Sequence, residues 1–109
     1  MEININCDLG EKSKHHSNKH DPELLKIVNS ANIACGYHAG DEETMNQVVQ
    51  ISRKNGVSIG AHPSFNDPEN FGRERMNLSS NERKKLLIDQ YELLQKIASN
   101  HGDKVTHIK

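Results

Sequence analysis

Four short apolar runs alternate with three helical patterns along the chain, and this alternation restricts the fold more than any other feature. Ile3, Ile5 and Cys7 alternate with Asn4, Asn6 and Asp8 at the two-residue period of a strand, until Leu9-Gly10 ends the run. Asp21-Pro22 opens a helix, with Asp21 as N-cap, Pro22 at the first helical position, and Leu24, Leu25, Ile27 and Val28 as its buried side. Ser30 to Ala34 reads as a second strand, stopped by Cys35-Gly36. Asp41 is the expected N-cap of a second helix. Glu42 and Glu43 then complement the positive end of its dipole, and Met45, Val48, Val49 and Ser52 form its inner stripe. After Asn55-Gly56, a third strand runs from Val57 to Ala61, and a long loop from Pro63 to Leu78 follows. Ser79 and Glu82 have the spacing of a capping box for a third helix reaching about Asn100, with Leu87, Tyr91, Leu94 and Ala98 on one face. Lys104 to Lys109 is the fourth strand.

A βαβαβαβ order implies parallel strands joined by right-handed crossovers. An open doubly wound sheet and the first half of a (β/α) barrel both satisfy it. An open sheet usually closes with a helix over its last strand, whereas this sequence stops on a strand, which favours the barrel. The expectation is a single incomplete barrel domain over residues 1–109, truncated at its C-terminal side.

Composition removes several function classes. A net charge of −1 disfavours a nucleic-acid binder, which usually carries a basic patch. No apolar run approaches the roughly 20 residues that span a bilayer, and the first residues lack the basic and apolar segments of a signal peptide. Two cysteines, Cys7 and Cys35, make neither a disulfide framework nor a zinc motif. A cytoplasmic protein with reduced thiols is the expectation.

In parallel α/β folds ligands bind at the carboxyl ends of the strands. Those ends carry Asp8, with Gly10-Glu11 after it; Cys35 to Asp41, with His38; His62-Pro63; and His107 with Lys109. A carboxylate and two neutral imidazoles, here Asp8, His38 and His62, make a facial set for a divalent metal, which polarises a carbonyl or acidifies bound water. The same three residues also suit metal-free catalysis, with a histidine as general base and Asp8 as its orienter. Asp41 combines a capping role with a position facing the site, and Arg73 offers a bidentate clamp for a substrate carboxylate. Lys12 to His20, with His15, His16 and His20, matches no standard metal spacing and reads as a solvated, mobile loop. No phosphate-binding glycine motif occurs.

Together, Asn6-Cys7-Asp8-Leu9-Gly10-Glu11, the run from Ser30 through Ala34-Cys35-Gly36-Tyr37-His38-Ala39-Gly40 to Asp41, Gly60-Ala61-His62-Pro63-Ser64-Phe65 and Asn70-Phe71-Gly72-Arg73 closely resemble the LamB/YcsF family, which supplies the A subunit of bacterial 5-oxoprolinases. The resemblance implies the N-terminal part of a TIM-like barrel of the glycoside hydrolase/deacetylase type. It also implies ATP-dependent hydrolysis of 5-oxo-L-proline to L-glutamate, with ATP as cofactor and 5-oxoprolinase subunits B and C as partners. Asp8, His38 and His62 are then the catalytic residues, and Arg73 and Asp41 the substrate-binding ones. A metal-dependent deacetylase or amidohydrolase on the same barrel, and a non-catalytic fragment, are the alternatives. The stretch between Glu11 and Asp21 departs from the shorter, glycine- and aromatic-containing loop usual in the family.

Overall fold

The computed structural model describes residues 2–109; Met1, within the expected domain, lies outside them. Strands β1 (Asn6–Leu9), β2 (Ser30–Ala34), β3 (Ser58–His62) and β4 (Val105–Ile108) form one parallel sheet in the order β1-β2-β3-β4. Helices α1 (Asp21–Leu24), α2 (Glu42–Lys54) and α3 (Ser80–Asn100) fall in the three crossovers. Spatial order follows chain order without the reversal that defines a doubly wound sheet. This is the progression of successive barrel strands.

Alternation along the strands sorts residues onto two faces. Register places Cys7, Ala31, Ile59 and Val105 in one row and Leu9, Ile33 and Ala61 in another, all packed in or against the core. Met45, Val48 and Val49 of α2, with Leu94, Ile97 and Ala98 of α3, close that face. The row between them reads Asp8, Asn32, Gly60 and His107, and its side chains point the other way.

The caps of α2 and α3 are local and form as the sequence predicts. The Asp41 carboxylate accepts from the Thr44 backbone N–H at 2.7 Å, and Ser79 and Glu82 make both bonds of their capping box. Four expectations are corrected. First, β1 begins at Asn6, and Ile3 and Ile5 are exposed, since no layer among the described residues covers the outer edge there. Second, α1 is one turn long and Asp21 does not cap it; His20 holds that position and the Asp21 side chain turns to another partner. Third, Ile27 is exposed while Leu25 and Val28 are buried. Fourth, the inner stripe of α3 is Gln90, Leu94, Ile97 and Ala98; Leu87 is exposed because the first turns of the helix extend past the sheet.

Candidate active site

The end of β1 is shaped by a turn at Gly10, whose φ of +70° is in the left-handed region. The Gly10 N–H donates to Asp21 Oδ2 at 2.8 Å, and this is the partner that draws Asp21 away from its cap. Burial raises the Asp21 pKa, the Gly10 bond opposes this, and the nearby Glu11 charge adds to it; the net direction is up. Across the turn, a Cβ on Gly40 would overlap the Gly10 carbonyl oxygen, so the loops after β1 and β2 approach as only glycine permits.

This close approach brings Glu11 onto His38. Glu11 Oε2 lies 2.8 Å from His38 Nε2, and the ring is buried. His38 Nδ1 is buried without a partner. An orphaned N–H there would be costly, so the ring proton belongs on Nε2, donating to Glu11. The His38 ring also meets His62 edge-on, centroids 5.1 Å apart, and Phe71 at 4.9 Å.

His62 ends β3, with Nε2 3.7 Å from Asp8 Oδ2 and 3.9 Å from Glu11 Oε2. Beyond it, buried Gln90 clamps the peptide groups of Ser64, accepting from its N–H at 2.9 Å and donating to its carbonyl at 2.8 Å. Lys109 of the β4 end reaches both oxygens of Asp8, on β1, at 2.8 and 2.7 Å. Four flat strands would separate these edges by about 14 Å, so this contact marks a strongly curled sheet. Partial burial pushes the Asp8 carboxyl up. The bonds from Lys109 and Asn32, with the charges of His62 and Lys109, outweigh it and hold Asp8 below the ordinary carboxylate range.

Asp8, Glu11, His38, His62, Phe71 and Arg73 all line one cavity of about 220 Å³. Phe71 has a left-handed backbone (φ +57°), a conformation costing about 1–2 kcal/mol in a residue with a Cβ. It is held between the His16 ring, stacked at 4.3 Å, and the edge of His38, with the Arg73 guanidinium 5.8 Å from its centroid. The Lys/His-rich stretch is largely exposed, as expected, but through His16 it is anchored to the wall of this cavity.

Of the residues singled out from sequence, Asp8, His38, His62 and Arg73 meet here. Asp41 is committed to the α2 N-terminus and does not line the cavity. Glu11 is the residue that sequence reasoning passed over. It, and not Asp8, completes the set of ligand-type atoms that lie within 4.8 Å of one another with His38 and His62. Its signal is the glycine before it, which turns the chain back over the strand end. Two imidazoles and a carboxylate fit a divalent metal by donor chemistry.

A model of the LamB/YcsF family matches residues 3–109, an interval that contains every residue of this site. The chain belongs to the LamB/YcsF family. It is 45% identical over its whole length to the 5-oxoprolinase A subunit of Staphylococcus epidermidis and 46% identical to that of Nitrobacter hamburgensis, covering 43% of each. The LamB/YcsF chain also superimposes on the crystal structure of the lactam utilization protein from Thermus thermophilus. The TM-score is 0.91 at 34% identity, covering 99% of this chain and 44% of that one. It thus spans less than half the length of the relatives it matches. No helix among the described residues is long and apolar enough to cross a membrane.

Proposed function

We propose that residues 1–109 form the N-terminal part of the barrel of a 5-oxoprolinase A subunit, which works in the cytoplasm with subunits B and C to open 5-oxo-L-proline to L-glutamate at the expense of ATP. The observation that carries this reading is the convergence of Asp8, Glu11, His38, His62 and Arg73 on one cavity, in a chain whose relatives bear that name.

The lactam is an unreactive amide, and phosphorylating its oxygen with ATP gives the ring carbon a good leaving group. Water adds to that carbon, and the ring C–N bond breaks as its nitrogen takes up a proton. A second water hydrolyses the resulting γ-glutamyl phosphate to L-glutamate and phosphate. His62 stands between two carboxylates and takes the proton of the attacking water as general base. Asp8 orients the imidazole and stabilises its charged form. Arg73 pairs with the substrate carboxylate, a planar fork on a planar acceptor. As the alternative to a general-base role for His62, Glu11, His38 and His62, with Asp8 beside them, would hold a divalent metal, which would supply Lewis-acid polarisation of the substrate oxygen. The same cluster favours a second reading, a metal-dependent amidohydrolase or deacetylase that needs no ATP.

The test is glutamate release by the full-length protein carrying this sequence, with both partner subunits, ATP and 5-oxoproline. His62→Ala should lower turnover by about 10²–10⁴-fold. Near-normal turnover in that variant would overturn the assignment. Metal-stimulated hydrolysis without ATP would favour the second reading.

A further inference from the structure

Asp8, Asn32, Gly60 and His107 are register partners, one from each strand, on the face of the sheet away from the helices. His107 reaches this row through an irregularity. Ile59 pairs with Val105 but Gly60 pairs with His107, so Thr106 is the extra residue of a bulge. Without the bulge, Thr106 would stand opposite Gly60 and His107 would face the helices. Gly60 completes the arrangement, since a Cβ there would fall inside the His107 imidazole. With that space open, His107 passes over β3 to β2 and places Nε2 3.0 Å from Asn32 Oδ1.

Asn32 is 2% exposed, and every one of its polar atoms is used. Its amide nitrogen donates to Asp8 Oδ1 at 3.1 Å and to Asn6 Oδ1 at 3.0 Å, while its oxygen meets His107. An ionised carboxylate only accepts, so the amide nitrogen must face Asp8 and the oxygen must face the imidazole. His107 must therefore carry a proton on Nε2. Thr106 Oγ1 lies 2.9 Å from His107 Nδ1 and 3.1 Å from the Ile59 carbonyl, and its single hydroxyl proton goes to Nδ1, the acceptor nitrogen of a ring protonated on Nε2.

We propose that Asn32, locked by His107, is a positioning residue for Asp8: it holds Oδ1 from the buried side while Lys109 bonds both oxygens from the rim, and together they keep Oδ2 toward His62, 3.7 Å away. Its effect on turnover rests on Asp8 and His62 being part of the reaction centre. The hydrogen-bond relay itself does not.

Two measurements separate these layers, both on the full-length protein carrying this sequence. In the first, nitrogen NMR of the histidine-labelled protein reads the His107 ring. A proton on Nε2 is expected. An unprotonated Nε2 would reverse the Asn32 amide, take its donors away from Asp8, and overturn the proposal. In the second, glutamate release with both partner subunits compares Asn32→Asp, His107→Leu and His107→Gln. Asn32→Asp replaces the donor by an acceptor of equal size, and His107→Leu removes the lock. Each should lower kcat by about 10–100-fold, the usual cost of losing a group that orients a site residue, with KM changed much less. His107→Gln keeps a donor and should recover most of that loss. Wild-type kcat in His107→Leu, or equal impairment of His107→Gln and His107→Leu, would overturn the positioning role. A full-length wild type with no activity on 5-oxoproline would instead sink the proposed function, and the NMR measurement would still decide the relay.

Discussion

The two faces of the sheet are built on opposite principles. Toward α2 and α3, Leu9, Ile33, Ile59 and Ala61 are almost fully buried among Val49, Leu94 and Ala98, and contact there is apolar and non-directional. Toward the other side, Asp8, Asn32 and His107 are joined by hydrogen bonds whose donors and acceptors must alternate correctly along the row. An apolar row tolerates exchange of one hydrophobe for another of similar volume. A polar row does not, because one reversed amide leaves a buried group unpaired. Stability is therefore concentrated on one face, and orientation of the candidate catalytic groups on the other.

Truncation on the apolar face is the strongest way to break this division. Ile33→Ala or Ile59→Ala should destabilise the full-length protein by about 2–5 kcal/mol in urea unfolding, the range for deleting buried aliphatic groups. Activity per folded molecule should change far less. Gly60→Ala inverts that balance. It overpacks a tight spot, costing about 1–3 kcal/mol, and displaces the His107 ring, so turnover should fall by more than the loss of folded protein explains.

The smallest effect sharpens the comparison through pH. Asp21, buried, and Asp8, half-buried, are carboxylates shifted in opposite directions. The folded-state pKa of Asp21 is raised, so the native state binds the extra proton. The contribution of Asp21 to stability is full below the ordinary value of 3.8 and is lost as pH rises through the raised value. The folded-state pKa of Asp8 is depressed, so its contribution is present above 3.8 and is lost as pH falls through the lower value. Unfolding midpoints across pH should therefore show Asp21→Asn and Asp8→Asn removing slopes of opposite sign. Slopes of the same sign would contradict the environments described for the two carboxylates.

Much of the frame was legible in the residues. β2 occupies Ser30–Ala34, the run read as a strand, and α2 is capped by Asp41 and buries Met45, Val48, Val49 and Ser52. The rim carrying Asp8, His38 and His62 follows from strand ends in a parallel sheet. Ile27 and Leu87 were misplaced because helical period alone does not reveal where a helix runs past the sheet. Asp21 was misassigned because a carboxylate before a proline has the local form of a cap, while its actual partner lies eleven positions back at Gly10.

The sequence by itself determined the order of the elements and the caps of α2 and α3, since these depend on period, glycine and bonds spanning three or four residues, such as Ser79 with Glu82. Only the tertiary structure decided which polar groups meet. Glu11 finds His38 across 27 positions, His107 finds Asn32 across 75, and Lys109 finds Asp8 across 101. The physical reason is that hydrogen bonds are directional and short-ranged. The curl of the sheet, one bulge at Thr106 and the missing side chain of Gly60 set which donors come within reach of which acceptors, and none of the three is written in the period of the chain.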